Sequence, residues 1–85
     1  MAKYKIYSIK DTKIGFMNPF ISHNDGTALR DFTNGANEPS KNAINTNPED
    51  KELWHLGEFD DQTGEITSDV KFMVKANDVI IKKGE

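Results

Sequence analysis

The residues most able to perform chemistry are two histidines and a group of carboxylates. His23 and His55 lack the four-residue helical spacing that creates a two-histidine metal site. His55 falls in a strand-like segment, where a hydrogen-bonded structural histidine is the usual role. We therefore expect no metal, no cofactor and no enzymatic activity. The competing hypothesis is an enzyme in which both histidines converge with turn carboxylates in one pocket.

The carboxylates of Glu58, Asp60, Asp61 and Glu65 invite a second catalytic interpretation, a pair of acids that act together. They surround the segment Asp61–Gly64, whose composition is typical of a type I turn closed by a left-handed glycine. Aspartate is favoured in such turns because its side chain caps its own backbone. A β-hairpin explains these acids without catalysis.

The segment Asn24–Thr27 could hold an anion through the free backbone N–H groups of a helix start. It lacks the glycine-rich spacing of a phosphate loop, and Asp25 would repel a phosphate. We interpret it as a helix cap made by Asn24 or Asp25. The predicted helix is Asp25–Ala36, with an apolar stripe of Ala28, Leu29, Phe32 and Ala36.

The best functional pattern is the basic and aromatic alternation of the first strand. Tyr4 and Ile6 fall on one side, and Lys3, Lys5 and Tyr7 on the other. A strand with lysine and tyrosine on one exposed face could contact phosphates while a ring stacks on a base. A solvated lysine face with half-buried tyrosines is the simpler interpretation, and the residues alone favour it.

Composition places the chain among small globular domains and excludes several classes. The 85 residues are 35% hydrophobic with mean hydropathy −0.70, and we treat residues 1–85 as one compact domain. Without cysteine, disulfides and thiolate sites are excluded, and no apolar run has membrane-spanning length. A chain with a net charge of −3 is a poor general binder of phosphate groups. A basic face could still form from the first strand together with Lys71, Lys75, Lys82 and Lys83.

Hydrophobic periodicity predicts an α+β fold, a small and mainly antiparallel sheet of three to four strands with one main helix packed on one face. Residues Ile14–Phe20 are expected to form an extended loop that packs Phe16 and Phe20 into the core. Residues Ala76–Ile81 fit either a helical turn or a last strand. The predicted strands are Lys3–Ile9, Leu53–Phe59, Glu65–Ser68 and, as a possible fourth, Phe72–Lys75.

The hairpin strand Leu53–Phe59 carries apolar side chains on both faces. The helix stripe is expected to pack on Ile6, Phe20 and one of two pairs, Leu53 with Phe59 or Trp54 with Leu56. Gly57 indicates a bulge or the close approach of another backbone or of a ligand. Because one helix cannot cover both hairpin faces of so short a chain, we expect a homo-oligomer, most simply a two-fold dimer.

Five segments of the chain carry a resemblance to a known family, and they cover nearly all of it as far as Ile66. The most specific feature is the order Asn-Pro-Glu-Asp before Leu-Gly-Glu-Phe-Asp. Together the segments resemble the small nonstructural protein of gokushovirus-type Microviridae, the single-stranded DNA phages. The segments are Tyr4–Asp11, Phe16–Phe20, Asp25–Phe32, Asn47–Asp50 and Leu56–Gly64.

The resemblance implies a protein of the infected bacterial cytoplasm that is absent from the virion. It implies a role in viral genome replication or in the switch to single-strand synthesis and packaging, with no catalytic residues to transfer. We therefore expect weak or cooperative binding of single-stranded DNA. The alternative is a protein-interaction module that binds a viral or host replication protein without contacting DNA. The expected DNA-binding residues are Lys3, Lys5, Tyr7, Lys10, Lys13, Arg30, Trp54 and Lys71.

Overall fold

A computed structural model describes residues 3–81, which form an antiparallel sheet with two helices against one face. The described part measures 50 × 25 × 19 Å. Lys82 and Lys83, expected to contribute to a basic face, lie outside the described residues. The strands are β1 (Lys3–Asp11), β2 (Gly15–Phe16), β3 (Phe20–Ser22), β4 (Lys51–Asp60) and β5 (Ile66–Lys75). The helices are α1 (Asp25–Ala36), α2 (Ala76–Val79) and a 3-10 turn (Pro48–Asp50).

The sheet runs in the order β2-β1-β4-β5, and β3 also pairs with β1. The α+β prediction is confirmed, but five strands replace the expected three to four. The segment expected as a loop supplies the two short strands, since Gly15, with φ of 129°, returns the chain against β1. The two strands predicted after the hairpin turn are one continuous strand, β5, and α2 resolves the last segment as helical.

Helix α1 has the predicted bounds and is closed by asparagine at both ends. The side chain of Asn24 accepts a hydrogen bond from the backbone N–H of Thr27 at 2.8 Å, which satisfies one of the free donors of the first turn. At the other end, the amide of Asn37 donates to the carbonyl of Val79 at 3.0 Å and accepts from the N–H of Ile81 at 2.7 Å. Asn37 therefore fastens the C-terminal segment to the end of α1.

The core lies between the helices and one face of the sheet, which we call the helix face; the opposite side is the outer face. The buried apolar cluster at the centre of the core consists of five side chains from four elements. They are Tyr7, Leu53, Ala28, Phe32 and Ala76. Strand β4 therefore places Leu53, a member of the first predicted pair, under the helix. Trp54, a member of the second pair, lies opposite Ser8 on the outer face.

Three predicted core positions are wrong. Leu29 is 38% exposed because the stripe that meets the sheet runs through Ala28, Phe32 and Ala36. Ile6 is half-buried on the outer face, one position out of phase with the buried Tyr7. Phe16 is 47% exposed because β2 pairs with the end of β1 and leaves the ring on the outer face.

The loop before β4 is held by polar side chains. The amide of Asn42 donates to the carbonyl of Gly35 at 2.8 Å, which joins the loop to the end of α1. Lys51 is buried, with its ammonium 2.5 Å from the carbonyl of Thr46 and 3.6 Å from the carboxylate of Asp11. This lysine satisfies groups of its own fold and is not available to a ligand.

One residue of β4, Leu56, has no partner in β1. Ile6 pairs with Gly57 and Tyr7 pairs with His55, so the register shifts by one residue between them. On the N-terminal side of the shift in β4, odd-numbered residues of this strand face the helix. After it they face outward, which places Phe59 beside Tyr4 and away from the core.

Gly57 lies at this bulge because the neighbouring backbone leaves no room for a side chain. A Cβ atom built on Gly57 would lie 2.1 Å from the carbonyl oxygen of Thr67 in β5. The predicted role of Gly57, a bulge with close backbone approach, is confirmed. The predicted hairpin turn is also present, with Gly64 at φ of 78° and its N–H bonded to the carbonyl of Asp60 at 2.8 Å.

We predict that Gly57→Ala destabilises the fold strongly, by about 3 kcal/mol, at the upper end of the range for overpacking. The clash is with backbone, so a rotamer change cannot relieve it. Gly26→Ala is the matched control, because its Cβ would lie 3.4 Å from the nearest neighbour at the start of α1. Urea unfolding of both variants measures the difference, and equal stabilities would contradict the role given to Gly57.

Candidate nucleic-acid interface

Three aromatic rings lie in a row across the outer face of the sheet. Phe16 comes from β2, Trp54 from β4 and Phe72 from β5. The ring centroids are 5.6 Å apart for Phe16 and Trp54 and 5.7 Å apart for Trp54 and Phe72, both edge to face. Strand register places them together, because Trp54 pairs directly with Phe72. Phe16 and Phe72 are 47% and 48% exposed, so the row is open to solvent.

Lys10 of β1 fills the space between the first two rings. Its ammonium lies 5.4 Å from the centroid of Phe16 and 5.0 Å from that of Trp54. Such contacts contribute about 0.5–1 kcal/mol at exposed sites. The indole N–H of Trp54 donates to the carboxylate of Glu52 at 2.9 Å, which fixes the orientation of the indole. We call Phe16, Lys10, Trp54 and Phe72 the aromatic row.

Toward the β4–β5 hairpin turn, the outer face carries an apolar groove of about 310 Å³ that shares no lining residue with the aromatic row. It forms where the register shift turns Phe59 outward beside Ile6. Ile21 and Ile66 on its margin are more than half exposed. The lining residues are Ile6, Pro19, Phe20, Ile21, Phe59 and Ile66.

Among the predicted DNA-binding residues, Lys10 and Trp54 belong to the aromatic row. Lys5 and Lys71 lie on the helix face, where both lower the pKa of Asp25 by their charge. Each also has a carboxylate partner, at 3.7 Å for Lys5 with Glu58 and 3.4 Å for Lys71 with Asp69. These two lysines do not line one groove with Lys10.

The remaining predicted cations are also dispersed. Lys13 lies in the β1–β2 turn, 3.8 Å from Asp50. Lys3 is paired in register with Asp60 at the far end of β1, and Arg30 is exposed on α1. Of the predicted DNA-binding cations, which all lie within residues 3–81, Lys10 is the one whose ammonium lies over aromatic rings.

Tyr7, predicted to stack on bases, is inaccessible. Its side chain has 0% exposure, and its ring packs against Phe20 with centroids 5.9 Å apart. The hydroxyl donates a hydrogen bond to the carboxylate of Asp25 at 2.5 Å. Burial raises the pKa of Tyr7, and the bond to Asp25 raises it further. The prediction failed because alternation puts Tyr7 on the face that the helix covers.

The two histidines make separate contacts. His55 is 2% exposed, packs edge-on against Tyr7 at 5.5 Å, and has Nδ1 2.7 Å from the carbonyl of Asp69. Because a carbonyl can only accept, Nδ1 carries the proton in this contact. His23 is exposed and its ring lies 5.7 Å from Tyr4. Within residues 3–81, no three His, Asp or Glu side chains are grouped closely enough to hold a metal ion.

Sequence reasoning missed Phe16 and Phe72 as members of the site. Strand β2 has only two residues and so shows no periodicity that would place Phe16 on one face. The sequence therefore predicts a loop that packs this ring into the core. Phe72 could have been found from its place in a predicted strand, but its position opposite Trp54 depends on two register shifts between β4 and β5.

The family model described as Phage ORF5 protein matches residues 4–79, which includes every member of the aromatic row. The chain belongs to this family. It is therefore a phage protein, and the resemblance inferred from its motifs is confirmed at that level. Neither the curated proteins nor the solved structures contain a significant match. No helix in the described part of the chain is long and apolar enough to span a bilayer.

We predict a pH-dependent effect of Tyr7→Phe on stability. The hydrogen bond from Tyr7 holds the pKa of Asp25 below its usual range, helped by the charges of Lys5, His55 and Lys71, while burial opposes the shift. A lowered folded-state pKa stabilises the fold above the unfolded pKa, and this contribution is lost as pH falls through the folded value. Tyr7→Phe should cost about 1 kcal/mol at pH 7, at the low end for a bond to an exposed charge.

The stability difference from wild type should begin to shrink as pH falls below the unfolded-state pKa of an aspartate, about 4, and should keep shrinking as pH falls through the lower folded-state pKa of Asp25. Urea unfolding at pH 7 and at pH 3 measures it. Tyr4→Phe is the control, because the ring of Tyr4 packs against His23 on the other face of β1. A Tyr7→Phe deficit that is equally large at both pH values would contradict the assignment.

Proposed function

We propose that this phage protein binds single-stranded DNA through the aromatic row. The supporting observation is an open line of three rings with one lysine among them, on the sheet face opposite the helices. The motif resemblance extends the proposal to a non-catalytic, nonstructural protein of a Microviridae-type phage. It would act in the cytoplasm of the infected bacterium, outside the virion, in genome replication or the switch to single-strand synthesis and packaging.

Ring stacking provides the affinity in this proposal. Each base that stacks on an aromatic side chain contributes about 1–3 kcal/mol, with little dependence on sequence. The half-exposed rings of Phe16 and Phe72 flank the less exposed indole of Trp54, so two open rings lie on either side of a third. A duplex keeps its bases stacked on one another and presents only their edges in the grooves. The aromatic row therefore favours single strands over duplex DNA.

Phosphate contacts contribute little here. Lys10 is the lysine that lies over the rings, and Glu52 is its partner in the β1–β4 register. The chain as a whole carries a net charge of −3. Affinity for nucleic acid is usually dominated by cations that meet phosphates. We therefore expect weak binding, which neighbouring protein molecules on one strand could reinforce.

The apolar groove favours a second candidate function, a module that binds a viral or host replication protein. Its walls are aliphatic and aromatic, and Ile21 and Ile66 are 56% and 67% exposed. Exposed apolar patches of this kind mark protein interaction sites. A peptide in this groove would contact Ile6 and Phe59 and would not need a phosphate. This candidate predicts no response to oligonucleotides.

We predict that oligothymidylate quenches the fluorescence of Trp54, the single tryptophan of the chain. Quenching follows from stacking of a base on the indole and should saturate with added single strand. A duplex of the same length should quench much less. Absence of quenching at high micromolar DNA in low salt would contradict DNA binding and leave the protein-interaction candidate.

We predict that Phe16→Ala and Phe72→Ala each weaken DNA binding by about 1–3 kcal/mol, or roughly 5- to 150-fold in Kd. Because both changes alter the surroundings of Trp54, binding is measured by the anisotropy of a labelled oligonucleotide. Ile14→Ala is the matched control, since Ile14 is 87% exposed and lies outside the row. Equal affinities for all three variants would show that the row is not the binding surface.

Salt dependence separates stacking from phosphate binding. We predict a slope of log K against log salt near −1, because each neutralised phosphate of a single strand contributes about −0.7. Lys10→Ala should flatten the slope by about 0.7, whereas Lys13→Ala, in the turn beside Asp50, should leave it unchanged. A wild-type slope steeper than about −3 would point to a larger lysine surface than the aromatic row provides.

A further inference from the structure

We propose that β5 pairs with β5 of a second copy of this chain, antiparallel and centred on Val70. Strand β5 has ten residues and lies at the edge of the sheet, with β4 as its partner among the described strands. Its first seven residues are all exposed. Long exposed edges are ready templates for pairing with another strand. The exposed apolar residues along it are Ile66, Val70 and Phe72, at 67%, 55% and 48%.

The side chains of β5 keep a regular alternation over the part that would pair. Ile66 pairs with Phe59 and Phe72 pairs with Trp54, so both lie on the outer face, an even number of residues apart. Val70 lies between them on the same face. Asp69 and Lys71 occupy the helix face, where their charged groups are 3.4 Å apart.

Charge complementarity selects the second copy as partner. In an antiparallel pair centred on Val70, Asp69 of each copy lies opposite Lys71 of the other. Two opposite-charge pairs form at once, and cross-strand pairs of this kind stabilise an antiparallel sheet. A register centred on Asp69 or on Lys71 would instead place two like charges together. On the outer face, the centred register brings the two Val70 side chains into contact, with Phe72 close to both.

Such a dimer joins two sheets into one, with both aromatic rows on the same face. It also adds contacts between copies to a chain of 85 residues, a length at which a single core is only marginally sufficient. The pairing uses the backbone edge of β5, whereas DNA binding uses the outer face. Phe72 belongs to both surfaces, but association of the chain is measured without DNA, so failure of the dimer and failure of DNA binding are distinguishable.

Charge reversal tests the register. Asp69→Lys places lysines opposite each other across the interface, and Lys71→Asp places acids opposite each other. Both single variants should dissociate at least fivefold more readily than wild type in sedimentation equilibrium at low salt. The double variant Asp69→Lys/Lys71→Asp restores complementarity and should dimerise again. Circular dichroism melts confirm that each variant is folded.

Mixing the two single variants gives the decisive result. One copy then carries two lysines and the other two acids, so a heterodimer should form although neither variant associates alone. Loss of the ion pair within one chain cannot explain this, because mixing does not restore that pair. A wild-type monomer at high concentration, or a mixture that stays monomeric, would overturn the proposal.

Cross-linking gives a second measurement that does not depend on charge. The chain has no cysteine, so a single introduced thiol is unambiguous. Val70→Cys lies opposite itself at the two-fold axis, within the Cβ separation of about 4.5–5.5 Å for facing residues. It should form a dimer linked by a disulfide under oxidation. Ser68→Cys, which faces Phe72 of the second copy, should remain largely unlinked; equal cross-linking of both would contradict the register.

Discussion

The arrangement of both sheet faces depends on the approach of two backbones at Gly57. The carbonyl of Thr67 occupies the place where any other residue would carry its Cβ. This contact lets β4 accommodate Leu56 as an extra residue against β1. On one side of the bulge His55 faces the helix, and on the other Phe59 faces outward. The core side of β4 and the apolar groove thus both depend on this bulge, and the aromatic row depends in addition on a second register shift, between Leu53 and Trp54.

Local pairing explains why a count of lysines overstates the attraction for phosphate. Lys51 is buried with Asp11, and Lys5, Lys13 and Lys71 each lie within 4 Å of a carboxylate. Exposed ion pairs of this kind add little stability, but they reduce the field that a phosphate would meet. Lys10 differs because its ammonium lies over two rings. That placement couples a positive charge to a stacking surface.

Local signals in the sequence were sufficient for the helix and the hairpin turn. Asn24 begins α1 as N-capping rules predict, and Gly64 has the positive φ that its turn requires. The role of Gly57 was also predictable, since glycine weakens a strand and is found there mainly at bulges or where another backbone approaches closely. Each of these features depends on a few neighbouring residues and on backbone geometry that few residue types can adopt.

Features that depend on pairing between distant strands were not predictable. Both faces of β1 carry an aromatic residue, so alternation alone did not show that the helix covers Tyr7. The strand at Gly15–Phe16 is too short to show a period. The aromatic row combines residues from four strands, and its register includes shifts that no local pattern specifies. For this reason sequence analysis found Lys10 and Trp54 but placed them among the wrong neighbours.

The helices cover the two faces of the sheet unequally, and both proposed binding surfaces lie on the less covered face. The helices cover the face that contains Tyr7 and Leu53, while the outer face keeps half-exposed rings and an apolar groove. Single exposed apolar residues are ordinary, but a contiguous set on one face marks an interaction surface. Phe72 belongs both to that surface and to the edge strand β5. Pairing of β5 would bring Phe72 beside Val70 of the second copy, so a dimer would stiffen one end of the aromatic row without covering the other.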